Sequence, residues 1–265
     1  YEFHKRVENY FSKWELQYDI NDRSTLVYTG NLGSLGRDDT GDLLFNGIGS
    51  TELTTTRSLL NRHNLTHTYK LSEREALVNS ARWIYQRSPL NYSIDQYYYE
   101  DLFQVGGISD VYQRVENDLQ YLGVTSHYVR KLVNGDFMEM AFVQEYKDQQ
   151  VMTDFVLNGD DGTQTRPSGF SNKLALLTSN TRFTAKYTVK SKKWEWTPKL
   201  NAEFVYSGLR TNGALRPQNN WLISPSLLAK WRMYHKGVLE AELSYQQTNT
   251  EMMQVVPNYY STGIR

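Results

Sequence analysis

Apolar and polar residues alternate along several long segments of the chain, most clearly between residues 173 and 208. Every second residue from Trp194 to Tyr206 is apolar, and the intervening residues from Glu195 to Glu203 are polar or charged. Successive side chains of a β-strand point to opposite faces, so this spacing predicts strands with one apolar and one ionic face. A helix would distribute the same residues around its axis.

The same pattern predicts ten strands and the start of another near residue 258. The ten lie near 8–20, 24–32, 63–72, 75–88, 112–132, 136–152, 172–190, 193–209, 220–234 and 237–252. Strands of globular domains usually have about five or six residues, whereas a tilted strand needs about 9–11 to cross a bilayer. The lengths therefore favour a membrane-spanning sheet. Pro198 and Pro225 weigh against it, and we expect bulges to accommodate them because proline donates no ladder hydrogen bond.

Compact reversals alternate with longer polar connections along the chain. The reversals are Asn21–Ser24, Ser72–Glu75, Val133–Asp136, Lys190–Lys193 and Tyr234–Gly237, and the long connections lie near 33–62, 89–111, 153–171, 210–219 and 253–257. Short turns at one edge and long loops at the other are typical of transmembrane β-barrels. The predicted fold is therefore all-β: an antiparallel transmembrane β-barrel with short periplasmic turns and long extracellular loops.

Residues 1–265 are predicted to form one outer-membrane barrel segment of roughly ten or eleven strands, without a plug domain. Single-chain bacterial barrels close with an even number of strands, so we expect this segment to be one sector of a larger wall. The chain begins without methionine and stops where a strand is starting, which also indicates a longer polypeptide.

Composition narrows the function classes. The 29 basic and 29 acidic residues cancel, which gives no support to a nucleic-acid partner. The 20 Tyr and 6 Trp suit interfaces where one end of a ring is wet and the other apolar. The absence of cysteine excludes a thiolate metal site and a cysteine nucleophile.

Three patterns resemble chemical motifs, and each has a plainer interpretation. His63 and His67 have the spacing of a helical metal pair, but on a strand they lie roughly 13 Å apart. The acidic loops 38–42 and 158–162 lack the twelve-residue spacing of an EF-hand. The segment Gly30–Gly36 lacks the dinucleotide-binding spacing and is interpreted as the flexible start of an outer loop. The sequence therefore predicts no enzyme, no metal site and no cofactor.

Four aromatic residues are candidates for stacking on a ligand such as a sugar: Tyr97, Tyr98, Tyr99 and Trp221. The alternative is loop packing or an aromatic girdle at a membrane interface. The polar rows are expected to hydrate a lumen, through Arg182, Lys186, Glu195, Lys199 and Glu203. Trp194, Trp196 and Trp231 are expected to anchor the wall at the interfaces.

The Trp and Tyr rows, the polar hairpins and the closing segment Val256–Gly263 resemble the barrel of TonB-dependent outer-membrane transporters, with the SusC-like importers as the nearest branch. The resemblance implies import of a nutrient, a glycan or peptide, across the outer membrane of a Gram-negative bacterium. It implies outer-membrane lipids, TonB and a surface lipoprotein as partners. The plug domain and TonB box of that family have no match here.

Other functions remain open at the level of sequence. A non-transporting barrel could scaffold surface lipoproteins, and it would lack an upstream plug. An outer-membrane protease or lipase would lose hydrolysis when a lumenal or loop acid is replaced. A soluble carbohydrate-binding β-domain would purify as a folded monomer without detergent.

Overall fold

The computed structural model describes residues 2–45, 47–95, 107–167, 170–211, 214–233 and 237–247. No helix long and apolar enough to cross a membrane occurs within these ranges. The described residues form twelve strands: β1 (Glu2–Asn21), β2 (Ser24–Phe45), β3 (Ile48–Ser72), β4 (Glu75–Arg87), β5 (Leu90–Asp95), β6 (Ile108–Lys131), β7 (Phe137–Gly159), β8 (Gln164–Thr165), β9 (Asn172–Lys190), β10 (Trp194–Thr211), β11 (Ala214–Arg232) and β12 (Val238–Ser244).

All twelve strands belong to one antiparallel sheet, which confirms the predicted all-β fold. Ten of them follow one another in the order β1-β2-β3-β4-β6-β7-β9-β10-β11-β12, so sequence neighbours are also spatial neighbours. Within the described ranges, the outer edges of β1 and β12 pair with no further strand. The assignment of residues 1–265 to one sector of a larger barrel stays a prediction.

β4 and β5 are two halves of one interrupted strand. Arg87 pairs with Leu59 of β3, and Leu90 pairs with Thr56, so the register continues unchanged across the gap. Pro89 lies in this gap and cannot donate to the ladder, which explains the interruption. The predicted long connection 89–111 was therefore wrong at its start, because residues 90–95 are part of the sheet.

Three other predicted long connections were also wrong in part or in whole. β2 and β3 extend into residues 33–62 and pair as far as Phe45 with Ile48, and β10 and β11 pair as far as Thr211 with Ala214. β7 runs to Gly159, so the start of the predicted connection 153–171 is paired with β6. These polar, Gly-containing segments have low intrinsic strand propensity, but each extends a ladder that already exists. Gly30 lies within β2, where a Cβ atom would fall 2.1 Å from the Trp14 ring. Its missing side chain makes room for that indole, a role different from the predicted loop.

The short reversals at 21–24, 72–75, 133–136 and 190–193 are confirmed, and they lie at one end of the sheet. We call this the short-turn end, and the opposite one the far end. Residues 234–236 of the fifth reversal lie outside the described residues. Gly135 adopts a φ of 90°, which favours glycine at this turn.

Asp136 links two neighbouring reversals at the short-turn end. Its carboxylate accepts hydrogen bonds from the backbone N of Lys190 at 3.0 Å, the Tyr187 hydroxyl at 3.0 Å and Asn134 Nδ2 at 2.7 Å. These bonds, that of Lys190 above all, lower the pKa of Asp136 from its usual value. Asp136 therefore stabilises the fold above its unfolded-state pKa, and this stabilisation is lost as the pH falls through the lower folded-state pKa.

The two prolines fit the sheet without the expected bulges. Leu227 pairs with Pro198 and Leu200 pairs with Pro225 in a continuous β10–β11 register. On the other side of β10, the pairing with β9 is interrupted between Trp196 and Lys199. Pro198 lies in that gap, and its missing N–H explains the interruption, while the register is the same on both sides of it.

The strands are staggered in one direction across the sheet. A row of directly paired residues begins at Ser24, next to the first short turn, and runs through Tyr69, Leu77, Tyr128, Met140, Ala185 and Leu200 to Pro225. Pro225 lies seven residues before Arg232, the end of β11 (232 − 225 = 7), and the row crosses seven strand boundaries. Each strand is therefore displaced along its axis by one residue relative to the neighbouring strand. With a rise of about 3.3 Å per residue and a strand spacing of about 4.8 Å, this displacement corresponds to a tilt of about 35°, as in β-barrels.

The two faces of the sheet differ in chemistry over the half nearer the short turns. One face, which we call the apolar face, carries large apolar side chains on β6, β7, β9, β10 and β11, among them Leu122, Met140, Phe142, Phe183, Leu200 and Ile223. Many of these side chains are exposed in the described structure. The opposite face, which we call the polar face, carries mostly charged and hydroxyl side chains.

This division reverses towards the far end. On β6, the apolar-face positions change from Leu122 and Val124 to Glu116 and Arg114, while the polar-face positions become apolar. The only sizeable cluster of buried apolar residues in the described structure lies there, on the polar face. It consists of Tyr92, Ile94, Ile108, Val111, Phe155 and Leu157, with Leu90 and Phe170 packed against it.

Candidate functional site on the polar face

Arg182 is the centre of an ion-pair network that joins three strands of the polar face. Its guanidinium lies between Glu145 of β7 and Glu203 of β10, with Nη2 3.9 Å from Glu145 Oε2 and Nε 3.4 Å from Glu203 Oε2. The cross-strand register produces this arrangement, since Glu203 is paired directly with Arg182 and Val143 lies opposite it on β7. All three side chains retain partial solvent exposure, so the network is a hydrated charged surface with a modest effect on stability.

A second ion pair lies nearer the short turns on the same face. Lys186 Nζ is 3.0 Å from Glu139 Oε1, and His127 Nε2 is 3.9 Å from Glu139 Oε2. Glu139 therefore lies between a cation on β9 and an imidazole on β6. In both ion pairs an acidic side chain of β7 thus meets a basic side chain of β9.

Neutral hydrogen-bonding groups fill the spaces between these charges. The Tyr121 hydroxyl donates to Glu145 Oε1 at 2.6 Å, and Asn180 Nδ2 donates to Glu203 Oε1. The Thr184 hydroxyl donates to Asn201 Oδ1 at 2.8 Å. The surface thus presents both donors and acceptors, which suits contact with water and with uncharged polar ligands.

The structure brings together most of the residues predicted to line a lumen. Arg182, Lys186 and Glu203 belong to the two ion pairs, and Lys199 is paired with Lys186 across β9 and β10. Glu195 lies farther along β10 and pairs with Arg232 at 3.6 Å. Sequence reasoning missed Tyr121 and His127. Their positions on the alternating strand β6 gave the face, but only the register reveals their acidic partners.

Trp221 lies on the apolar face and forms an aromatic pair with Phe204. Its ring centroid is 5.0 Å from that of Phe204, and its side chain is exposed. Trp194 stacks on Trp196 and Trp231 at the short-turn end of the same face, each at 5.6 Å. This position favours the girdle interpretation of Trp221, and ligand stacking by it stays a prediction. Tyr97, Tyr98 and Tyr99 lie outside the described residues.

His63 and His67 are strand residues, as predicted, and both lie on the apolar face. His63 Nδ1 is 2.6 Å from the Tyr28 hydroxyl, and its ring stacks on Trp83 with centroids 5.3 Å apart. His67 Nε2 is 2.8 Å from the Ser24 hydroxyl. Both imidazoles therefore have local partners within the sheet. No group of side chains in the described ranges has the arrangement of a metal site.

A small open pocket lies at the far end, beside the buried apolar cluster. It has a volume of about 270 Å³ and is lined in part by Gly107, Ile108, Leu157, Asp160 and Thr163. The acidic loop 158–162 forms its rim. Asp161 accepts hydrogen bonds from the Thr163 hydroxyl at 2.7 Å and the Thr163 amide at 2.9 Å, which lower the pKa of this carboxyl. Asp161 thus stabilises its own turn, as the plain-loop interpretation expects.

The sequence matches no family model and no curated protein. Among solved structures, the chain is similar to the unliganded ferric citrate transporter FecA, with a TM-score of 0.49 and 10% identity over 90% of this chain and 41% of that one. It is also similar to the translocator domain of the autotransporter NalP from Neisseria meningitidis, with a TM-score of 0.35 and 12% identity over 92% of this chain and 82% of that one. The chain thus spans about two fifths of the FecA chain, and similarities at these levels define neither its family nor its function.

Proposed function

We propose that this chain is part of the wall of a transport barrel in the outer membrane of a Gram-negative bacterium. In this proposal the apolar face contacts lipid, and the polar face with its Arg182 network lines the path of the transported ligand. The short turns lie in the periplasm and the far end lies outside the cell.

The observation that carries this proposal is that the apolar and polar faces exchange their character along the strands, towards the far end. A sheet that crosses a bilayer and continues into water needs apolar side chains on its outer surface only at the level of the lipid. Trp221 and Trp231 are ten residues apart on β11. In a strand tilted by about 35° from the membrane normal, these two residues are separated along the normal by about 27 Å. This separation is close to the ~25 Å height of the apolar band of outer-membrane barrels. Beyond this band the same face carries Arg114 and Glu116.

Two adjacent residues of β10 provide a matched test of the membrane orientation. The chain contains no cysteine, so Leu200→Cys and Lys199→Cys each introduce a single labelling site. They occupy opposite faces of one strand. In lipid vesicles, a fluorophore at position 200 should be quenched strongly by a lipid-soluble quencher and weakly by iodide, and a fluorophore at position 199 should show the reverse. Equal quenching at both positions, or no quenching of position 200 by either agent, contradicts the proposal.

The finer proposal is TonB-dependent import of a nutrient, a glycan or peptide. The family resemblance supports it, and so does the polar face, whose charged groups and neutral donors suit many weak hydrogen bonds to hydroxyl or amide groups. TonB and a surface lipoprotein would be its partners. No catalytic role is proposed.

Uptake measurements with intact cells distinguish TonB-dependent import from the alternative of a non-transporting scaffold. Deletion of the gene should abolish uptake of one labelled oligosaccharide or peptide, and collapse of the proton gradient in wild-type cells should have the same effect. Uptake that persists without the gradient would exclude TonB dependence. Unchanged uptake of every tested ligand after deletion, with surface lipoproteins lost, would favour the scaffold.

A further inference from the structure

A groove crosses the apolar face just beyond its apolar band. It lies between β6, β7, β9 and β10 and has a volume of about 580 Å³. Its walls include Glu116, Asp118, Met152, Lys173, Ala175 and Arg210. The groove therefore combines an apolar floor with a charged rim.

The acidic side chains of the rim are neutralised by arginines. Glu116 pairs with Arg114 and with Arg87 at 3.3 Å, and Asp118 Oδ1 lies 3.8 Å from the same Arg87. Lys173 and Arg210 are exposed and have no ion pair among the described residues. Two positive charges of the groove thus remain available to an external anion.

The register places these two cations close to each other. Arg210 is paired directly with Ala175, and Lys173 lies two residues from Ala175 on the same face of β9. Such diagonal neighbours have backbones roughly 7–8 Å apart, within reach of two long side chains. The small side chain of Ala175 leaves space between them. A phosphate there could accept hydrogen bonds from both the guanidinium and the ammonium group.

Towards the short-turn end, the next residue on this face of β9 is Leu177, which is paired with Asp148 of β7 and Gly208 of β10. Ser179 follows on β9 and is paired with Tyr146 of β7 and Tyr206 of β10. Two tyrosines thus flank Ser179, six residues along β9 from Lys173. An amphiphile with its anionic group at Lys173 and Arg210 would direct its acyl chain past Leu177 towards these tyrosines.

We propose that this groove binds the phosphate-bearing headgroup of an anionic membrane lipid. The inference rests on the proposed function, because it requires the apolar face to lie against a bilayer. The position supports it, since the two cations lie beyond the apolar band on the same face of the sheet, on the side of the band where lipid headgroups are found.

The test measures binding of fluorescent phosphatidylglycerol to the protein in detergent, after flotation with phosphatidylcholine vesicles has shown that the protein inserts. The double variant K173Q/R210Q should bind the lipid roughly 25-fold more weakly, since each cation near an anionic surface contributes about a factor of five. The control R62Q/K147Q loses the same charge from the polar face and should bind as the wild type does.

The possible outcomes separate this inference from the proposed function. Equal affinity of wild type and K173Q/R210Q overturns the lipid site while leaving the barrel intact. Displacement of the lipid by an equal concentration of inorganic phosphate means that the groove is a free-anion site, which also overturns the lipid assignment. A wild-type protein that does not float with vesicles overturns the membrane orientation and, with it, this site.

Discussion

Replacement of Leu200 by arginine should lower the free energy of unfolding in lipid vesicles by roughly 2–4 kcal/mol, the range for an arginine at the lipid midplane of an outer-membrane barrel. Leu200 lies midway along the apolar row from Trp194 to Tyr206. Its neighbours in the register, Ala185 and Pro225, offer no acceptor side chain to a guanidinium. Urea titration of the reconstituted protein measures the loss.

The same substitution on the other face is the control. Leu222 of β11 lies on the polar face, directly paired with Glu203. Leu222→Arg should change stability little, because the new cation enters a hydrated surface beside a carboxylate. If the two variants are equally destabilised, the faces do not differ in environment and the membrane orientation is wrong.

Leu157→Ala should destabilise the far end by roughly 2–5 kcal/mol, the usual range for truncation of a buried leucine. Leu157 is 1% exposed and packs in the apolar cluster with Tyr92, Ile94 and Phe155. The shorter side chain leaves a cavity beneath β5. Hydrogen exchange should therefore accelerate at the amides of residues 90–95 and 108–111.

Leu44→Ala is the matched control, since this leucine also lies near the far end but is 73% exposed. Its truncation removes few contacts and should alter exchange at residues 90–95 little. A similar effect of both variants would mean that the cluster around Leu157 does not hold the far end together.

Several elements of the fold could be predicted from sequence because they depend on local chemistry. The strand pair around the Lys190–Lys193 turn was predicted within a few residues, since its alternation is regular and its turn is polar. The extension of β2 to Phe45 could not be predicted, because Gly and Asp residues there weaken any strand signal. Those residues are held by pairing with β3, which is a property of two segments together.

The candidate site shows the same division. The alternation of apolar and polar residues predicted that Arg182, Lys186 and Glu203 lie on the polar face, but it could not predict which acidic side chain each cation contacts. Arg182 contacts Glu145 because β7 and β9 are adjacent in one particular register. A shift of one residue would turn every side chain of a strand to the other face, so the register is fixed by the whole sheet.

The sequence by itself determined which residues share a face and where the short turns fall, because the two-residue period and turn chemistry are properties of each segment. Only the tertiary structure decided the one-residue stagger, the continuity of β4 with β5, and the burial of Tyr92 and Phe155 on the polar face at the far end. These features arise from hydrogen bonds and packing between segments distant in the chain, and no local pattern of residues encodes them.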